Sequence, residues 1–414
     1  MNPATRLPAW ADTALSAWLL FWAGLLVVYN HAGALAYAGL AVLLGAAGWV
    51  VLLRRTPLRG RALLFGLAWS FLFLWMLASA SWGSHGADTA WRLAAQLALM
   101  LSLPALISTR GEAAKSALSH ILMATALAGA AVMVADVASG YGLAFAIDPP
   151  DSRGVADMWR RQSDTEMHLG RGQVAWAVLS PVLLALFATR LGGWRGWAAG
   201  LAFLGLLLLG TGLNRLFVPA LILVFALPAF ALGLRRPRAA VSGATALAAA
   251  SVMLAPIVGL VSGWVPERVL ARLPLSWDHR LRMWDYTLGR ILERPIRGHG
   301  LDASRAMQDG FTTRIGVDIP YISLHPHNVG LQVWLELGVV GALFGAFALL
   351  AMRPALLRLA GRSRMRAAAL AGLVAGAAAA SAITVGAWQY WWWGLSALAG
   401  ALVALVPAQA AVDP

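Results

Sequence analysis

The 414-residue chain contains no cysteine, and every basic side chain except Lys115 is arginine. Without cysteine there is no disulfide framework, no thiolate nucleophile and no thiolate metal site. Charge is scarce too: charged residues make up 12% of the sequence against 60% hydrophobic ones. No linker, low-complexity tract or internal repeat is visible, so the duplicated halves that mark many transporters are missing.

What fills the chain is a succession of nearly uncharged stretches of about 18 residues or more, the length that crosses a hydrocarbon core of about 30 Å. Lipid offers the backbone no hydrogen-bond partner, so such stretches must be helices or a closed barrel, and runs without strict alternation select helices. The pattern predicts an all-α polytopic membrane protein of about 12 transmembrane helices forming a single transmembrane domain over 1–414. Its spans fall near 13–30, 33–53, 62–80, 89–109, 113–138, 173–189, 196–212, 214–234, 239–263, 329–352, 367–386 and 389–408. The first apolar stretch, after Arg6, has no small-residue cleavage site behind it and is expected to be retained.

Every second connection is basic: Arg54 to Arg61, Arg110 with Lys115, Arg190 with Arg195, Arg235 to Arg238, and Arg353 to Arg366. Under the positive-inside rule these connections and both termini are cytoplasmic, which leaves a shorter segment, 139–172, and a long one, 264–328, outside. Orientation and anionic head groups therefore account for much of the net charge of +14 without nucleic acid.

The external arginines exceed what orientation requires, among them Arg171, Arg280, Arg297 and Arg314. Some can pair with nearby acids. A permanently charged planar fork suits bidentate contact with phosphate, although biased codon usage enriches arginine as well, so the count names no ligand. Arg215 lies in a short turn between two spans and is expected to face the bundle interior or a polar cavity, free for substrate or paired with a carboxylate such as Asp136. Residues 278–294 read as an amphipathic helix, with Leu281, Trp284, Leu288, Ile291 and Leu292 on one stripe and Pro295 ending it. That helix would lie on the membrane surface or cap the bundle, with Arg280 at the edge of its stripe.

The long segment re-enters the membrane at His325-Pro326-His327-Asn328. Pro326 suits a first helical turn, and a histidine at a helix N-terminus tends to be neutral and able to accept a proton. Capping or an interfacial position is the alternative role for the pair. Asn328, Gln332 and Glu336 then recur every fourth residue, a polar interior stripe, and Gly338, Gly341 and Gly345 would let a neighbouring backbone approach. The histidine spacing fits no usual zinc arrangement, which favours metal-free chemistry. The aromatic run Trp388 to Trp393 reads as an interfacial belt or a sugar-stacking surface.

Arg215 at a span's outer end, Arg280-x-x-x-Trp284, Pro295-x-x-Gly298-x-Gly300 and His327-Asn328 followed by Gly338 and Gly341 together resemble the O-antigen ligase and O-antigen polymerase superfamily, over about 205–345. The resemblance implies a helical fold similar to the C-type glycosyltransferases and an active site on the periplasmic face of the bacterial inner membrane. It implies transfer of O-antigen glycan from undecaprenyl diphosphate to lipid A-core in lipopolysaccharide biosynthesis, inverting and with no metal or cofactor. In that reading His327 is the general base, Arg280 and Arg215 hold the diphosphate, and Arg171, Arg297, Arg314, His325, Asn328 and Gln332 are further substrate contacts. Dominance of the 264–328 segment leans towards a ligase. A polymerase or a protein O-oligosaccharyltransferase of the same superfamily differs only in acceptor, and a lipid or glycan transporter is the reading from another class.

Overall fold

A computed structural model describes residues 61–83, 89, 111–143 and 155–408. The spans expected at 13–30 and 33–53, and all but the first residue of that at 89–109, lie outside the described residues. The apolar stretches within them form helices: α1 (Arg61–Ser79), α2 (Glu112–Ala138), α3 (Val155–Arg190), α4 (Gly193–Leu213), α5 (Val218–Arg235) and α6 (Pro237–Met253). There follow α7 (Ala255–Gly263), α8 (Glu267–Leu270), α9 (Leu275–Glu293), α10 (Val329–Ala360), α11 (Arg364–Ile383) and α12 (Tyr390–Val403). Between α9 and α10 a small antiparallel hairpin pairs β1 (Gly310–Thr312) with β2 (Asp318–Pro320), Phe311 opposite Ile319.

The chain is an all-α, multi-pass membrane protein. Among the described residues six helices are long and apolar enough to cross a membrane: α2, the Leu169–Arg190 part of α3, α4, α5, α10 and α11. The span expected at 239–263 is broken into α6 and α7, which meet at 57°. Pro256 in the first turn of α7 explains the bend, because proline has no N–H to donate and its ring excludes the carbonyl one turn back.

Small residues set the core. Gly233 of α5 lies against the backbone of Ala368, and Gly372 of α11 against Pro181 and the carbonyl of Ala226, approaches that any side chain would block. Trp176 and Phe187 of α3 and Phe203 of α4 fill the remaining space and are buried.

The most constrained joint lies in α10. Gly338 has φ 67° and ψ −168°, which kinks the helix and frees backbone groups on both sides. The turn after α9 takes them up: Val339 N donates to Pro295 O at 2.8 Å, while His299 N and Gly300 N donate to Leu335 O and Glu336 O, both at 2.9 Å. Trp75 Nε1 closes the last carbonyl, that of Leu337, at 2.9 Å. Gly298, at φ 71°, sits where a Cβ would strike the backbone of Glu336, so the Pro-x-x-Gly-x-Gly turn and the glycine of α10 are two halves of one contact. Of the three glycines expected to admit a neighbouring backbone, Gly338 alone does so; Gly341 makes room for Leu337 of its own helix, and Gly345 has only an ordinary contact with Val252.

Helix α9 does not lie free on a surface. Its buried residues are Asp278, Met283, Trp284, Thr287 and Ile291, whereas Leu292, expected on the apolar stripe, is 67% exposed. Gly259 of α7 admits Leu288, and Gly263 admits Asp285, so α9 is clamped along α7 and caps the bundle.

Candidate functional site

Trp284 is buried in α9, and its indole N–H donates to Pro326 O at 2.8 Å. This bond seats the His325–Asn328 segment beneath α9. Arg280, one helical turn earlier on the same face, is thereby brought beside the histidines. Helix α10 begins one residue after Asn328, whose side-chain oxygen caps Leu331 N at 2.9 Å. Pro326 is therefore outside the helix and not in its first turn, because Asn328 is the better cap. His327, just before the cap, adopts a left-handed backbone with φ 50°.

That conformation decides the histidine chemistry. His327 Nδ1 lies 2.9 Å from Thr384 O, and a carbonyl can only accept, so Nδ1 carries the hydrogen and Nε2 the lone pair. Among the described residues Nε2 has no hydrogen-bond partner. Burial, then the positive charge of Arg280, with smaller effects of His279 and Arg171, pulls the His327 pKa down to about 4, so the ring is neutral at neutral pH. His325 differs. It is buried, its Nδ1 accepts from His327 N at 3.2 Å, and its Nε2 lies 2.8 Å from Gln389 Nε2, which leaves neither nitrogen open. Burial holds its pKa well below the ordinary value, helped by His327, Arg305 and Arg171. The two rings are 4.5 Å apart, and a Cβ at Gly386 would press into that of His325.

Arg280 is the cation facing His327. Its Nε is buried without a partner, one terminal nitrogen donates to Ser276 O at 3.1 Å, and its guanidinium lies 5.6 Å from the Trp277 ring centre. No carboxylate among the described residues pairs with it, and burial lowers its pKa from the usual guanidinium value. Arg171, at the start of the membrane part of α3, acts electrostatically on both histidines.

Arg215 is placed otherwise than expected. It is exposed and makes no ion pair with Asp136, whose side chain accepts from Leu143 N at 2.8 Å. The left-handed φ of 51° at Arg215 breaks the helical phase between α4 and α5. Asn214 takes the inward position instead, accepting from Tyr141 Oη at 2.7 Å and donating to Gln173 at 3.1 Å. The adjacent Leu216 packs on Gly170, so the Arg215 turn still stands next to Arg171.

Arg297 is exposed with its guanidinium 5.9 Å from the Trp82 ring centre, and Arg314 donates to Ala271 O at 2.6 Å; no hydrogen bond or ring contact brings either to the histidines. Asn328 and Gln332 are nearer but occupied. Asn328 Nδ2 donates to Ala382 O at 2.9 Å, and Gln332 donates to Glu336 at 3.0 Å while accepting from Ala387 N at 2.7 Å. Both brace the site rather than offer free polar atoms to a ligand.

Trp388, Trp392 and Trp393 of the aromatic run face the interior. Trp388 Nε1 donates to Glu336, Trp393 Nε1 to Ala387 O at 2.6 Å, and Trp392 is buried. Their rings help line an apolar cavity of about 360 Å³ that starts beside Val329 and Ala387 and continues along α10 and α11. Thr384 and Gln389 are site residues that sequence reasoning missed. Thr384 contributes only its carbonyl, which side-chain identity does not signal; Gln389 is a lone amide within the tryptophan run and was visible.

No family model matches the chain. It is 41% identical over 78 residues to a protein of Rickettsia conorii named "putative polysaccharide ligase", a stretch that covers 18% of this chain and 19% of that protein. Proteins of the same name from Rickettsia prowazekii and Rickettsia typhi are 42% and 39% identical over 82 residues, 19% of this chain and 20% of each of them. The similarity thus spans about a fifth of the length of these curated relatives.

Proposed function

We propose that the chain is an O-antigen ligase of the bacterial inner membrane, moving O-antigen glycan from undecaprenyl diphosphate to lipid A-core on the periplasmic face. The observation that carries this reading is the pairing of a neutral histidine, its Nε2 lone pair open, with an arginine that has no carboxylate partner. A base beside an uncompensated cation suits a reaction in which a hydroxyl loses a proton while an anion departs. The names of the Rickettsia relatives agree with glycan transfer. The apolar cavity beside Val329 and Trp388 offers a place for part of an aliphatic donor tail within the bundle. Basic connections at the far end of the helices favour that end as cytoplasmic, with both termini there.

In this mechanism the acceptor hydroxyl approaches the anomeric carbon from the side opposite the diphosphate. His327 Nε2 takes its proton as the new C–O bond forms and the bond to the diphosphate oxygen breaks, with inversion. Arg280 binds the leaving diphosphate and stabilises the charge it gains, and Arg171 adds positive potential. Arg215 meets the same diphosphate from the neighbouring turn, while Arg297 and Arg314 contact phosphates further out. His325, Asn328 and Gln332 hold His327 in place.

The test is transfer by purified protein in detergent, with undecaprenyl-diphosphate glycan and lipid A-core, beside His327→Ala. Lipopolysaccharide laddering that depends on His327 is expected. Donor consumed into longer lipid-linked chains would make the protein a polymerase instead, and no reaction by a folded protein would favour a transporter.

A further inference from the structure

Glu336 is fully buried within a membrane-spanning helix and takes no part in the steps above. An ionisable group at such a position is expensive and needs a reason. Donors from three segments converge on its carboxylate. Gln332 Nε2 of α10 reaches one oxygen at 3.0 Å. The other accepts from Asp302 N at 2.6 Å, in the turn after α9, and from the indole of Trp388, in the connection between α11 and α12. Asp302 is fixed in turn by Arg305 and Thr89, each at 2.9 Å.

We propose that Glu336 is a positioning residue that sets the tautomer of His327. The 384–389 connection is not helical and lacks a ladder of its own. Glu336 holds it twice, directly through Trp388 and indirectly through Gln332, which accepts from Ala387 N at 2.7 Å. Three residues before Ala387, in the same connection, stands the Thr384 carbonyl that receives His327 Nδ1–H. Just after Trp388 comes Gln389, which accepts from Gly386 N at 3.1 Å and faces His325. A free imidazole populates both tautomers. Only with the Thr384 carbonyl in place is the hydrogen kept on Nδ1 and the Nε2 lone pair open. A carboxylate suits the hub because it accepts only; glutamine there would turn an N–H towards at least one of the three donors. The base role of His327 rests on the proposed function, whereas the tautomer does not.

The experiment is ¹⁵N NMR of histidine-labelled protein in lipid nanodiscs, comparing the unsubstituted chain with Glu336→Gln, alongside steady-state transfer kinetics. The unsubstituted chain is expected to show His327 with Nε2 unprotonated. Glu336→Gln should mix the tautomers and lower kcat on the order of a hundredfold, with KM for the lipid-linked donor little changed. A His327 signal identical in both proteins overturns the proposal, whatever happens to activity. If Glu336→Gln does not fold, Trp388→Phe, which removes one donor and keeps the carboxylate, is read by the same signal. A tautomer shift in Glu336→Gln, when the unsubstituted chain itself transfers no glycan, would leave the positioning role standing and sink the ligase reading alone.

Discussion

At the basic end of the bundle, Arg366 Nε donates to Val406 O at 2.6 Å and Arg190 to Leu405 O at 2.7 Å, with Glu112 3.8 Å from Arg190. These carbonyls lie in the turn just past α12, outside any helical ladder, and two cations close them. At the opposite end Arg280 has the same side chain and a different situation, with no carboxylate partner among the described residues and an open histidine nearby. The contrast recurs within one helix. Arg282, two residues along α9, is neutralised by both oxygens of Glu267, at 2.9 and 2.6 Å, and by Asp278 at 2.8 Å. An arginine marks a candidate site by being buried beside an open base without a counter-charge, not by its place in the 264–328 segment.

The strongest attempt to break this contrast is removal of the base. His327→Ala is expected to lower transfer by about 10² to 10⁴-fold, since general base catalysis contributes about that much, while the loss of its bond to Thr384 O lowers the melting temperature only slightly. Arg366→Ala should act the other way, mainly lowering the melting temperature, because it leaves the buried Val406 carbonyl just past α12 unsatisfied. A His327→Ala protein that keeps full activity would end the site assignment.

Next in size is Arg280→Lys. Lysine keeps the charge and loses the planar fork, so kcat/KM for the lipid-linked donor should fall about tenfold or more, whereas a site needing only a point charge would not respond. The pH dependence follows from the same pair. His327 must be neutral to act, and its pKa in the free protein is about 4, so kcat/KM should stay level from pH 7 to 6 and fall only as pH drops towards 4. Bound diphosphate brings negative charge close to the ring and raises that pKa, so the acid limb of kcat should lie at higher pH than that of kcat/KM. An acid limb near 6.5 in kcat/KM would mean that the base is an ordinary exposed histidine.

Much of this was legible in the sequence. Apolar length alone gives the helical membrane architecture, and the fourfold spacing of Asn328, Gln332 and Glu336 gives a buried polar face, which is how these residues lie. The spacing of Arg280 and Trp284 gives a shared helix face, though not that the tryptophan holds the histidine segment. Features set by backbone geometry were not legible. The left-handed turns at Arg215 and His327 carry no glycine to announce them, so Arg215 was expected to point inward and Pro326 to open the helix. The joint between Gly298 and Gly338 needs two segments forty residues apart and shows only in three dimensions. Thr384 acts through a carbonyl that every residue possesses.

The smallest expected effect is the one that sharpens the comparison within α9. Glu267 is mostly exposed, and the hydrogen bonds from Arg282, helped by its charge, hold its pKa below the usual carboxylate value. Its contribution to stability is therefore present above the unfolded-state pKa and lost as pH falls through the lower folded value. Solvent screening keeps that contribution small, so Glu267→Gln should cost less than about 1 kcal/mol in denaturant or thermal melts at neutral pH. Asp278, which is buried and still bonded to Arg282, keeps the guanidinium in place. Donor KM should accordingly stay within about twofold, since Arg282 was never the cation facing His327. If Glu267→Gln altered donor KM as much as Arg280→Lys, the anion would be shared along the whole arginine face of α9, and the lack of a counter-charge would no longer single out Arg280.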